Sequence, residues 1–378
     1  MRRFLLSAYI VTVVLLLTAC GGRGKTFSVC EGDTLRLEYA ENLCLVRCPS
    51  YTLAVLRNPW DTLKVLHTYA LVDREDSLPE NLPDGATVVR VPLERCMVYS
   101  SVHCSLFKEL GAVDRIAGIC GLEYMNVPEI KEGCRAGKVT DCGNSMSPDV
   151  EKIIDLHPDA LLLSPYENSG GYGKVDKLGI PLVECADYME TSPLGRAEWM
   201  KFYGLLTGAY PRADSLFRKV EKAYLGMKTL AAGAGHRPTV LSDLKYGATW
   251  YISGGNSTTG QLYADAGADY VFAYLNTSGS VPMAFETVLD KGQQAEYWFI
   301  KYNQPKDKTC RELAEEYAPY SRFRAFKERR IYGCNTSYVP FYEDTPFRPD
   351  RLLEDMVRIL HPELFDEADT RYFTKLAE

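Results

Sequence analysis

Histidine, cysteine and serine are the side chains of this sequence best equipped for metal or nucleophilic chemistry, and their spacing supports neither. A protein that coordinates a bare metal must bring several His, Cys or carboxylate ligands together. The five histidines, His67, His103, His157, His236 and His361, are dispersed along the chain with no H-E-x-x-H among them, so no metal site is expected. Eleven cysteines follow Cys20, an odd number scattered from Cys30 to Cys334 without C-x-x-C pairing. Cys44 and Cys48 are close enough to be one disulfide candidate, with buried free thiols as the alternative. The run Gly255-Asn256-Ser257-Thr258-Thr259 lacks the last glycine of a G-x-S-x-G nucleophile elbow, and a helix cap accounts for Ser257. There is no P-loop and no G-x-G-x-x-G turn. No catalytic residue and no cofactor are therefore expected, and the chain does not read as an enzyme.

At the amino terminus, Met1-Arg2-Arg3 precedes an apolar run from Phe4 to Leu17, then Thr18-Ala19-Cys20. This is the layout of an export signal, and the run is shorter than the roughly 20 residues a lasting membrane span needs. Cys20 after Leu-Thr-Ala resembles the bacterial lipobox, in which cleavage leaves a lipid-modified Cys as the mature end. Residues 1–19 are thus read as a lipoprotein signal peptide, and the Gly-rich residues 20–25 as a lipidated tether holding the protein to a membrane. A net charge of −7 without a basic cluster argues against nucleic acid as a partner.

The two halves of the chain echo each other. Ser101, Leu106, Phe107, Glu109, Gly111 and Ala112 recur at one constant offset as Ser257, Leu262, Tyr263, Asp265, Gly267 and Ala268. The first copy predicts a strand ending near Tyr99, a helix over 101–110 and a strand over 115–119. The second predicts strands at 239–241 and ending at Ile252, a helix over 257–266 and a strand over 270–274. Ser101 and Ser257 are placed as N-caps, and Gly111 and Gly267 fall just past the helix ends, where a left-handed residue is wanted. A second echo, residues 150–155 against 285–290, sets apolar residues at i, i+3 and i+4 with a Glu beside them in the first turn.

Strands alternating with helices imply parallel sheets flanked by helices, an α/β fold of two lobes. Residues 26–191 are assigned to an N-terminal lobe that includes a strand-rich preface over 26–93. Residues 192–232 are assigned to a connecting helical spine broken at Gly208 and Pro211, and 233–378 to a C-terminal lobe.

The segment Glu151-Lys152-Ile153-Ile154-Asp155-Leu156-His157-Pro158-Asp159-Ala160-Leu161 closely matches an E-x-I-x-x-L-x-P-D-L-V signature. That signature belongs to the helical-backbone (class III) periplasmic binding proteins, which deliver ferric siderophores, haem and cobalamin to ABC importers. Gly179-Ile180-Pro181-Leu182-Val183 is similar to the family's second characteristic turn, and Arg348 through Phe365 looks like its C-terminal helix and stop. The preface, the many cysteines and His157 in place of the usual Lys depart from the pattern.

The resemblance implies a monomeric, periplasm-facing membrane lipoprotein of a diderm bacterium. It would capture an iron chelate (siderophore or haem) or cobalamin between its lobes and dock on an ABC permease dimer. Glu151 and Glu286 would be the docking carboxylates, one on each lobe. The ligand would lie at the carboxyl ends of the strands and beside helix starts. Its expected contacts are Ser100, Ser101, Asn144, Ser145 and Tyr166 from the first lobe, and Trp250, Tyr251, Asn256, Pro282 and Met283 from the second. Only His103 among the histidines falls near this cleft, so the metal is expected to arrive already chelated and to meet aromatic walls. A surface-scavenging or sensor lipoprotein without its own importer is the alternative, and a small-molecule enzyme on the same fold is a further one.

Overall fold

In the computed structural model, which describes residues 32–167, 171–367 and 369–378, the preface is a five-stranded sheet in sequence order. Cys20 and the export signal lie outside the described residues. Strands Asp33–Leu35, Leu43–Arg47, Thr52–Arg57 and Val65–Asp73 pair antiparallel, and Thr87–Val91 joins the last of them in parallel. Alternation sends Leu45, Ala54, Leu56 and Tyr69 into the core with no exposed surface.

Two buried carboxylates fasten this sheet to the helices behind it. Glu198, fully buried, accepts the backbone N–H groups of Glu38, Tyr39 and Ala40 at 2.8–3.1 Å and pairs with Lys201 at 2.9 Å. Glu190 accepts the N–H groups of Glu41 and Asn42 and the Trp199 indole N–H at 2.8–3.0 Å. Burial raises the Glu190 carboxyl above its usual value even against these bonds. A buried carboxylate is tolerable only when so compensated, and here the compensation comes from the preface backbone itself.

Each lobe then carries a largely parallel sheet. In the first, the order is Leu182–Glu184, Ala160–Leu163, Cys96–Val98, Ile116–Ile119 and Thr140–Asp141, all parallel. In the second, Asp269–Tyr270, Thr239–Ser242, Tyr297–Tyr302 and Ile331–Asn335 run parallel, and Thr374–Lys375 closes the edge antiparallel. A small antiparallel sheet, Lys245–Tyr246, Thr249–Ser253 and Ser280–Met283, sits on the second lobe. The spine comprises helices Pro193–Glu198, Met200–Thr207 and the 23-residue Tyr210–Ala232, against which the C-terminal helix Pro349–Leu360 packs.

Several local expectations shift on inspection. Ser100, not Ser101, caps the helix Ser101–Glu109: its backbone is still extended and its hydroxyl accepts the Val102 N–H. Ser257 does cap Thr258–Asp265, and Gly111 and Gly267 take φ of +73° and +70°. Gly208 ends a helix with φ +71°, whereas Pro211 lies in the first turn of the next, where its missing N–H costs nothing. The strand expected over 270–274 stops at Tyr270, because the Ala273 N–H turns back to the Tyr270 carbonyl. Ile154 is half exposed, so the buried stripe of its helix is Ile153 and Leu156. Cys44 is a free thiol while Cys48 is disulfide-bonded, so they are not paired with each other. Four residues of extended chain set them about 13 Å apart, beyond disulfide reach. Nine described cysteines are free thiols, seven of them buried.

Candidate functional site: a cleft between the lobes

The strands of the first lobe end on a hollow of about 370 Å³. Its floor is set by the residues that follow three of the strands: Tyr99, Cys120 with Gly121, and Ser164. Ser100 and Ser101 enter it at a helix start, Ser145 and Met146 from the hairpin Gly143–Asn144 and Ser147–Pro148, and Tyr124, Tyr166 and Tyr172 form its aromatic side. Four of the expected ligand contacts, Ser100, Ser101, Ser145 and Tyr166, thus share one hollow. The Tyr99 hydroxyl is buried with no hydrogen-bond partner among the described residues, and burial raises its pKa.

A neighbouring hollow of about 480 Å³ shares Ser100, Met146, Ser164 and Tyr166 and continues to His103, Asp187, Tyr188 and Arg196. These last residues form a polar wall. Asp187, 1% exposed, accepts from His103 Nε2 at 2.8 Å, Tyr203 Oη at 2.7 Å and Arg196 Nε at 3.1 Å. Burial alone would raise the Asp187 carboxyl, but His103, Arg196 and Tyr203 outweigh it and hold it at about 2. His103 is therefore committed to a wall and is not poised as a ligand for a metal. Among the described residues no three His, Cys, Asp or Glu side chains group as a metal site.

From Arg196 and Val102 the cleft opens into a third hollow, of about 290 Å³, where the second lobe contributes. Thr258 and Thr259 reach it from a helix start, Lys301 from the carboxyl end of strand Tyr297–Tyr302, and Phe341 and Tyr342 from the short helix Phe341–Asp344. Asp243 pairs with Lys301 and, against the effect of burial, raises its pKa. That short helix also ties the lobes together, since Ser101 Oγ donates to Glu343 Oε1 at 3.3 Å. Asn126 Nδ2 bonds the Thr336 carbonyl at 3.4 Å, and Arg351 faces Glu109 at 3.7 Å.

The second-lobe contacts expected from sequence do not line these hollows. Trp250 has no exposed surface: it stacks on Trp298 at 5.9 Å, meets Phe323 edge-on and donates its indole N–H to the Ser242 carbonyl at 3.1 Å. It is core. Tyr251, next on the strand, points outward and is 51% exposed, paired in register with the exposed Pro282. Met283 pairs with Trp250 and is partly buried beside the core. Asn256 and Asn144 are exposed, the latter accepting the Met146 N–H within its own turn. Arg196, Lys301, Tyr342 and Tyr188 are among the cleft residues that the sequence reading missed. Lys301 carried a signal, its place at the carboxyl end of a parallel strand; Arg196, inside a spine helix, carried none.

Glu151 and Glu286 occupy equivalent places. Each is the second residue of its helix, Val150–Leu156 in the first lobe and Phe285–Gly292 in the second, and each is exposed. Asp149 caps the first helix by accepting the Lys152 N–H, while the second begins without a side-chain cap.

Residues 97–338 match the family described as periplasmic binding protein. A lipoprotein of Methanocaldococcus jannaschii, described as uncharacterized, is 28% identical over 321 residues, covering 81% of this chain and 75% of its own. Among solved structures, a periplasmic heme binding protein from Pseudomonas aeruginosa superposes with TM-score 0.58 at 15% identity, covering 76% of this chain and 99% of its own. A structure titled as an ABC-type Fe3+-hydroxamate transport system, from Saccharomonospora viridis, gives 0.56 at 17%, covering 71% and 94%. The periplasmic vitamin B12 binding protein of Vibrio cholerae gives 0.52 at 13%, covering 73% and 99%. With residues 97–338, most of the chain, matched by the family model, and with two parallel-sheet lobes joined by a helical spine, this chain belongs to the periplasmic binding proteins.

Proposed function

We propose that this chain is the substrate-binding component of an ABC importer. It captures an iron chelate, siderophore or haem, or cobalamin, in the interlobe cleft and hands it to the permease dimer. Cys20 carries the lipid that holds it as a periplasm-facing monomer on the membrane of a diderm cell. The observation that carries the reading is the matched pair Glu151 and Glu286. Two exposed carboxylates at the same turn of quasi-equivalent helices, one per lobe, suit a two-fold basic partner, and neither is consumed by an ion pair among the described residues. The three joined hollows, walled by tyrosine and serine from one lobe and by threonine, tyrosine and lysine from the other, suit a bulky organic chelate.

The test separates docking from capture. Glu151→Arg and Glu286→Arg, singly and together, should abolish uptake into cells while the purified proteins keep their affinity for the chelate. Equal loss of ligand affinity in folded variants would move these carboxylates into the pocket. Full uptake by the double variant would favour a scavenging or sensor lipoprotein without its own importer.

A further inference from the structure

The cleft is almost free of net charge. In the first-lobe hollow eight of the twelve lining residues are serine or tyrosine and none is charged, among the described residues. In the other two hollows the charged side chains are Arg196, Lys301 and Asp187, beside His103. Neither cation is uncommitted: Arg196 pairs with Asp187 at 3.1 Å, and Lys301 pairs with Asp243. Each pair cancels within the protein, so a bound anion would meet a hydroxyl-lined surface whose two positive groups already have partners.

Hydroxyls donate and accept equally well, which matches the edge of an amide, a hydroxamate or an alcohol. A carboxylate or catecholate moved from water into the same surface loses hydration that no spare cation replaces. We infer that the ligand is an electrically neutral chelate with an amide- or hydroxyl-bearing edge, seated on the first-lobe hollow, and that polyanionic chelates are disfavoured. This rests on the reading above that the cleft holds a metal chelate. It narrows that reading to neutral ferric trihydroxamates and amide-edged corrinoids, ahead of ferric tris-catecholates and the dicarboxylate haem.

The experiment is isothermal titration of the full chain in detergent with four probes: ferrichrome, cyanocobalamin, ferric enterobactin and haemin. One of the neutral pair should bind at least about 30-fold tighter than either anionic probe, the size expected when charges are desolvated without compensation. Ser145→Lys, at an exposed turn position on the rim of the hollow, adds an unpaired cation without touching the core. It should strengthen binding of ferric enterobactin roughly 5- to 10-fold, the scale of one partly exposed ion pair. An anionic probe binding as tightly as the neutral pair overturns the inference and leaves the importer reading standing. An unaltered ferric enterobactin affinity in Ser145→Lys likewise overturns it. No heat with any of the four probes defeats the chelate reading itself.

Discussion

Replacing Asp187 with Asn tests the wall of the cleft. The carboxyl is 1% exposed and is held at about 2 rather than 3.8: burial opposes its ionisation, and His103, Arg196 and Tyr203 prevail over burial. A depression of that size corresponds to about 2 kcal/mol of stability at neutral pH. Because the folded-state value is the lower one, the unfolded chain takes up the proton first. The contribution is therefore complete above about pH 4 and is lost as the pH falls toward 2. Asn keeps the shape and one acceptor for His103 but not the charge. The variant should be about 2 kcal/mol less stable than wild type at pH 7 and nearly equal to it near pH 2. In urea unfolding with a slope of about 3 kcal/mol/M, the midpoint gap is roughly 0.7 M at pH 7 and closes on acidification. A gap that stays constant from pH 7 to about 2.5 would refute the reasoning, since the ionised carboxyl would then contribute nothing beyond its shape.

Trp250→Ala should cost about 3–5 kcal/mol in urea unfolding and leave the affinity of the folded fraction unchanged; weaker binding at undiminished stability would put the ring back in the cleft. Glu198→Gln leaves preface N–H groups short of a charged acceptor, so a loss of about 2–4 kcal/mol and earlier proteolytic nicking between residues 36 and 60 are expected. A digestion pattern identical to wild type would show that the sheet is held by other contacts. Cys20→Ser should move the protein from the detergent to the aqueous phase on partitioning, and wild-type protein cut elsewhere and fully soluble would end the anchor idea.

Much of the fold was legible because its punctuation is chemical. Serines open helices, glycines at φ near +70° close them, and apolar runs between them are the short parallel strands. The first-lobe half of the cleft followed from the same grammar, since Ser100, Ser101 and Tyr166 stand where a strand stops or a helix begins. The second lobe misled where strand alternation was overlooked. In Thr249–Ser253 the period of two allows only one of Trp250 and Tyr251 to face the core, and the indole takes it, with Ile252 in contact with solvent no more than Trp250 is. Arg196 was invisible for another reason. Its role depends on Asp187 and on the way the first spine helix crosses the mouth of the first lobe, and no local pattern encodes that crossing.

The two carboxylate clamps also fix how the molecule bears mechanical load. A pull on the amino-terminal end enters the described fold through its first two strands, Asp33–Leu35 and Leu43–Arg47, the second followed at once by the disulfide-bonded Cys48. Within a few residues it reaches the backbone of 38–42, which Glu198 and Glu190 grip. The load then passes to residues 187–198, the segment that holds both carboxylates and also carries Asp187, Tyr188 and Arg196 of the cleft wall, so tension on that end is transmitted to the second hollow.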